Sequence, residues 1–217
     1  MPQGPVVAIV LAAGKSERMG TLKPLLPYGS ESVIRRVVRS LKASPVARVL
    51  VVLGHRSEEI AADLEGSGAE IVLNPRFLEG MLTSVQAGLA AAPAEAEWFL
   101  IALGDQPSLR PATIECLLAA AEDEQERILV PSYGGRRGHP LLIHASHREE
   151  IGSLDGAVGL KELLLRHPGA VRHVEMPEDG VLHDMDTPEE YQRELRRLAK
   201  EAQAPEGKPG AERGEDS

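Results

Sequence analysis

A chain of 217 residues is long enough for one α/β domain with a substantial core and short of the usual length for two, so residues 1–201 are expected to form a single domain. The 42% hydrophobic and 26% charged composition excludes the disordered and membrane classes; no run reaches the roughly 18 apolar residues of a membrane span, and the N-terminus lacks a signal-peptide pattern, so a cytoplasmic protein is expected. A net charge of −9 argues against general nucleic-acid binding, which needs Lys and Arg against phosphates, and the lone Cys116 excludes a disulfide framework and a multi-cysteine zinc site.

Residues 6–11 are a short apolar run rich in β-branched side chains, the pattern of a strand buried on both faces of a parallel sheet. The pattern recurs at 49–53, 70–73, 98–103 and 128–130, and helical stretches are expected at 32–43, 57–64, 82–92 and 111–122. That alternation implies right-handed βαβ crossovers and a mostly parallel sheet with helices on both faces. Beyond Gly138 the expected elements are a strand at 141–143, helices at 147–151 and 158–166, and a strand at 171–175. A last helix should begin after Asp186-Thr187-Pro188, with Glu189 and Glu190 suiting its positive end. From about Ala202 to Ser217, Pro, Gly, Glu and Lys dominate and a disordered tail is expected.

Four segments carry chemistry. Leu11-Ala12-Ala13-Gly14-Lys15-Ser16-Glu17-Arg18-Met19-Gly20 follows the first strand and leads to Lys23. Small residues there let backbone N–H groups approach an anion, and Arg18 and Lys23 add full charges; the plainer reading is a strand-to-helix turn with solvated basic residues. Neither the Walker pattern nor the three-glycine dinucleotide fingerprint occurs, which counts against kinase-like hydrolysis and NAD chemistry. Gly104-Asp105-Gln106-Pro107 follows the 98–103 strand, so Asp105 should share the sheet edge with the first loop, either as a Mg²⁺ ligand or as a turn cap. Asp184 and Asp186 precede the last helix; either is a candidate N-cap or a second metal ligand, and Asp186 is favoured for the metal. Gly134-Gly135-Arg136-Arg137-Gly138-His139-Pro140 reads as a hairpin with exposed arginines or as a site for a second anionic substrate, with Gly138, His139 and Pro140 against it. The seven histidines form no His-x-x-x-His pair, and a serine nucleophile elbow is absent.

LAAGKSERMG and KPLL, with GDQP, GRRGHP and DMDTPEEY at their spacings, resemble the MobA-like nucleotidyltransferases over roughly residues 5–200, most closely the molybdenum cofactor cytidylyltransferase branch. The resemblance implies a Rossmann-like nucleotidyltransferase fold. It further implies a triphosphate wrapped by Leu11, Ala12, Ala13, Gly14 and Ser16 with Arg18 and Lys23, and magnesium on Asp105 and Asp186. Asn74, Gly80 and Ser84 match the region that contacts base and ribose. Alanine at Ala13 and Leu22 before Lys23 favour CTP over GTP. The implied reaction is attack by the terminal phosphate of molybdopterin on the α-phosphorus of CTP, expelling pyrophosphate, with a molybdoenzyme or chaperone receiving the product. Relatives often carry Gly-Asp-x-Gly-x-Arg near the acceptor, whereas this chain has Leu154-Asp155-Gly156-Ala157-Val158-Gly159-Leu160-Lys161. Methylerythritol phosphate, sugar phosphates, and a nucleotide-binding maturation factor without turnover are the rival readings.

Overall fold

The computed structural model describes residues 4–121, 128–155 and 159–203, the side chain of Ala202 excepted. The chain runs through β1 (Val6–Ala12), β2 (Pro27–Tyr28), β3 (Glu31–Ser32), α1 (Val33–Lys42), β4 (Arg48–Leu53), α2 (Ser57–Asp63), β5 (Glu70–Leu73), α3 (Met81–Ala91) and β6 (Trp98–Leu103). It continues through α4 (Pro111–Ala119), β7 (Ile128–Tyr133), β8 (Arg136–Arg137), β9 (Leu141–His144), α5 (Arg148–Ser153), α6 (Lys161–Arg166), β10 (Val171–Glu175) and α7 (Pro188–Gln203).

The main sheet has the order β10-β7-β9-β6-β1-β4-β5, with β8 paired to β7. Strands β5, β4, β1 and β6 are mutually parallel; β4, β1 and β6 show the unbroken apolar runs of strands buried on both faces, while β5 is the edge strand and leaves Ile71 and Leu73 exposed. Val7 through Val10 have no measurable exposure. One face is covered by α1, α2 and α4, whose Val37, Leu41, Ile60, Ile114 and Leu117 pack on Ala8, Val10, Val51 and Leu100. The other face is covered by α3, α5 and α6 through Leu82, Val85, Ile151 and Leu163, packed with Ile9, Phe99 and Val130. Gly88 lets α3 sit tightly on β1, since a Cβ there would stand 2.4 Å from Ile9 Cγ2.

The mostly parallel sheet with helices on both faces is therefore as expected, with one antiparallel strand in the path. β9 lies between β6 and β7 and runs against both. The reversal starts at the β7–β8 hairpin, where Gly134 and Gly135 take φ of 56° and 76°, the conformation that two-residue hairpin turns demand. Two expected helices differ. α6 begins at Lys161, because Gly159 holds a left-handed φ of 73° and breaks any helix through it; Val158 lies outside the described residues. α7 continues to Gln203, and the rest of the expected tail lies outside the described residues.

Candidate active site

β1 has β4 on one side and β6 on the other, so the chain order reverses at β1, the place where open α/β sheets bind ligands beyond their strand ends. Leu11 pairs with Leu103, and the Gly104 N–H donates to the Leu11 carbonyl at 2.9 Å. A Cβ on Gly104 would stand 3.0 Å from that carbonyl oxygen and 2.9 Å from Ala12 Cβ, so only glycine allows this approach. Asp105 is thereby delivered to the mouth of the first loop.

That loop departs from the strand-to-helix turn considered for it. Two short 3-10 turns, Glu17–Met19 and Lys23–Leu25, and the β2–β3 hairpin separate β1 from α1. Gly20, Pro24, Pro27 and Gly29 prevent a regular helix there. The cleft therefore relies on loop backbone and side-chain charge rather than on a helix dipole. Ser16 takes a left-handed φ of 55°, and its Oγ accepts from the Lys23 N–H at 3.2 Å, which folds the loop back so that the 9%-exposed Lys23 points inward.

The third segment of the site comes from the far end of the chain. Met185 is fully buried with Tyr28 and Val33, packed beside Tyr191, Leu195 and Leu198 of α7, so its neighbours Asp184 and Asp186 flank an anchored residue. Neither aspartate caps α7, correcting one of the two readings of that pair. Thr187 is the cap: its Oγ1 accepts from the Glu190 N–H at 3.3 Å, while Glu190 Oε2 accepts from the N–H groups of Asp186 and Thr187, both at 2.8 Å. This is a capping box, which the Thr187-x-x-Glu190 spacing announces and which leaves the Asp186 carboxylate for other work. Asp105 sits in the turn directly after β6, and α4, which starts after Arg110, has no side-chain cap.

Lys23 Nζ lies 3.2 Å from Asp105 Oδ2 and 2.5 Å from Asp186 Oδ1, and Arg18 Nη1 donates to Asp186 Oδ2 at 2.7 Å. Burial raises the Asp105 carboxyl above its ordinary range despite the opposing pull of Lys23, with Asp184 and Asp186 adding to the rise. Burial pulls Lys23 down, but its hydrogen bond to Asp186 and the charge of Asp105 outweigh it, and the ammonium ends above its usual value. The hydrogen bond from Lys23 holds Asp186 below the usual carboxylate range. Two carboxylates thus converge on one cationic point.

These groups line a cleft of about 440 Å³ together with Leu11, Ala12, Ala13, Gly14, Ser16, Gly80, Ser84 and Asp184. Asn74 is the member of the expected set that does not line it. Asn74 is buried and donates from Nδ2 to Thr83 Oγ1 at 2.9 Å and to Ser84 Oγ at 3.0 Å, tying the loop after β5 to the first turn of α3. The expectation missed Phe77, Leu78 and Met81, which form an apolar lip on the cleft, Leu78 and Met81 being 68% and 63% exposed. All three lie between Asn74 and Ser84, inside the run matched to base and ribose contacts, and that position was the available signal.

A second cleft, of about 560 Å³, is walled by Val85, Ile101, Val130, Leu141 and Leu164 and rimmed by Arg137, His139 and Lys161. Gly138 lines it as well, whereas Pro140 is buried beneath and does not. Arg136 and Arg137 sit exposed on the β8 hairpin, as the plainer reading of this motif expects, and Arg137 also borders the second cleft. Burial pushes the His139 imidazole below its ordinary range, against the charge of Asp184, so at neutral pH the ring is an uncharged hydrogen-bonding group. Leu11 and Met81 line both clefts, which makes them adjoining compartments.

A family model described as the MobA-like NTP transferase domain matches residues 8–171. The nicotine blue oxidoreductase of Paenarthrobacter nicotinovorans is 31% identical over 199 residues, spanning 88% of this chain and 96% of that one. The molybdenum cofactor cytidylyltransferase of Escherichia coli is 27% identical over 184 residues, 84% of this chain and 92% of its own. A Mycobacterium tuberculosis protein solved in complex with manganese superposes with a TM-score of 0.75 at 25% identity, covering 89% of this chain and 98% of that one.

Proposed function

The chain belongs to the MobA-like NTP transferase family and is a nucleotidyltransferase, and from that premise we propose that it transfers CMP from CTP to the terminal phosphate of molybdopterin, releasing pyrophosphate. The observation that carries this reading is the meeting of Arg18, Lys23, Asp105 and Asp186 at the mouth of one cleft, with a second, apolar and cation-rimmed cleft opening from it. The triphosphate lies along residues 11–23, with Gly14 leaving open space at the loop, Arg18 forking onto phosphate oxygens and Lys23 acting as a point charge. Cytosine and ribose rest against Gly80, Ser84 and the lip of Phe77, Leu78 and Met81. The acceptor's flat ring system suits the apolar second cleft, and its phosphate the rim of Arg137 and Lys161, with His139 supplying a neutral hydrogen bond.

Asp105 and Asp186 fit a divalent cation on one criterion internal to the structure: their oxygens already converge on a positive charge, the Lys23 ammonium, and an all-oxygen donor set suits Mg²⁺. Bound there, Mg²⁺ would neutralise charge developing on the transferring phosphoryl group. With the carboxylates so occupied, the Lys23 ammonium would be available to the phosphates. The acceptor phosphate is ionised at pH 7, so catalysis rests on positioning and charge neutralisation and needs no dedicated base.

The test is a matrix of each NTP against molybdopterin, methylerythritol phosphate and sugar phosphates with Mg²⁺, read as pyrophosphate release. Release for CTP with molybdopterin alone is expected. Release only with another pair moves the activity to that acceptor, and binding of CTP with no release for any acceptor makes the chain a nucleotide-binding maturation factor.

A further inference from the structure

Away from both clefts, His147, Glu150 and His167 bring three ligating atoms within 4.8 Å of one another. His147 ends the turn after β9, Glu150 lies in the first turn of α5, and His167 directly follows α6. Glu150 Oε2 stands 2.7 Å from His167 Nε2 and 3.8 Å from His147 Nδ1, and the two imidazoles lie 5.0 Å apart between centroids, tilted 58° to one another. A tetrahedral zinc ion with bonds of about 2.0–2.1 Å needs its donors roughly 3.3–3.5 Å apart, and the 2.7 Å and 3.8 Å separations bracket that figure. The other carboxylate oxygen, Oε1, is 3.4 Å from Arg166 Nη1, which fixes the direction in which Oε2 points. His147 is buried while His167 and Glu150 are partly open, so the cluster has both a fixed floor and an entry path.

We propose that His147, Glu150 and His167 form a zinc site, distinct from the carboxylates of the nucleotide cleft. Two imidazoles and one carboxylate are a borderline donor set that selects a first-row divalent ion such as Zn²⁺ over Mg²⁺, and three protein ligands leave one position for water. The site joins the start of α5 to the end of α6. Because α6 carries Lys161 and Leu164 into the wall of the second cleft, the ion staples that wall in place.

The experiment is calorimetric titration of Zn²⁺ into the metal-free full chain with Mg²⁺ in excess to occupy oxygen-only sites, paired with thermal unfolding. One tight equivalent and a higher Tm are expected. His167→Ala and Glu150→Gln should each weaken that equivalent at least about 100-fold, the upper range seen when even an outer partner of a metal ligand is lost, and abolish the Tm rise. Both positions are partly exposed, so both variants should fold, and His173→Ala, an exposed histidine on β10, should bind as the parent does. Absence of a tight equivalent in the parent, or equal affinity in the His167 and Glu150 variants, would reduce the cluster to a Glu150–His167 ion pair and overturn the proposal.

Discussion

Lys23 Nζ lies 2.5 Å from Asp186 Oδ1, across 163 residues of chain. The contact closes the cleft between the first loop and the segment before α7, and it balances two cations, Arg18 and Lys23, against two carboxylates, Asp105 and Asp186. Lys23→Ala is expected to cut kcat/KM for CTP by about two to three decades, the usual cost of a charge that acts in the transition state. It also strands two carboxylates, at about 1–3 kcal/mol in stability at neutral pH. Asp186 is held below its ordinary value by Lys23, so that stability exists above the unfolded carboxylate range and disappears as pH falls through the depressed value. Parent and variant melting curves should therefore converge in acid; equal stability at pH 7 would show the pair to be inert.

Asp105 behaves oppositely. Its carboxyl is raised by burial even with Lys23 beside it, so the native state binds the proton more tightly than the unfolded chain does, and ionised Asp105 destabilises the fold at every pH above that window. Asp105→Asn should raise the Tm at pH 7 while lowering kcat by about two to three decades. The gain should shrink on acidification, when the parent carboxyl takes up its proton. A lower Tm at pH 7 would contradict this account.

The parallel half of the fold is legible because strands buried on both faces show unbroken apolar runs, and Asp105 is legible because it follows one of them directly. The antiparallel β9 is not, since Leu141 to His144 could pair in either direction and long-range neighbours decide it. Asp186 is legible from its place before the last helix, whereas its availability depends on the Thr187–Glu190 capping box, whose closure is seen only in the fold. Asn74 looks like a ligand residue by position; its burial against Thr83 and Ser84 is a tertiary fact. In the His147–Glu150–His167 cluster only the His147–Glu150 pair has a local i,i+3 spacing; His167, 17 residues after Glu150, is brought in by tertiary packing.

Two glycines separate architecture from function. A Cβ on Gly14 meets nothing within 4 Å, whereas one on Gly138 would stand 2.2 Å from the Val181 carbonyl oxygen. Gly14→Ala should leave the Tm nearly unchanged and raise KM for CTP, because the methyl enters the nucleotide cleft. Gly138→Ala should lower the Tm by several degrees, since backbone has to move. Steady-state kinetics with thermal unfolding on both variants checks the contrast.

Thr187→Ala removes the cap that presents Asp186. A lost N-cap costs about 1 kcal/mol, so a modest fall in Tm is expected. Thr187 acts through position alone, so kcat should fall severalfold with KM for CTP little changed, and Thr187→Ser, which keeps the hydroxyl, should restore it. A variant with unaltered kcat would separate the cap from the placement of Asp186.

Base selection is staked on Ala13. Ala13 lines the nucleotide cleft at 6% exposure, and its carbonyl accepts from the His55 N–H at 3.1 Å, which pins the backbone so that the methyl is the adjustable part. A single carbon in a close-fitting site discriminates by roughly 10- to 200-fold. Ala13→Gly is therefore expected to raise the ratio of kcat/KM for GTP over CTP by about tenfold, with the pyrophosphate assay run on both nucleotides in parallel. The phosphate contacts proposed for Arg18 and Lys23 do not involve that methyl, so the summed activity should change far less than the ratio. An unchanged ratio would leave the phosphate site standing and move the choice of base to the lip formed by Phe77, Leu78 and Met81.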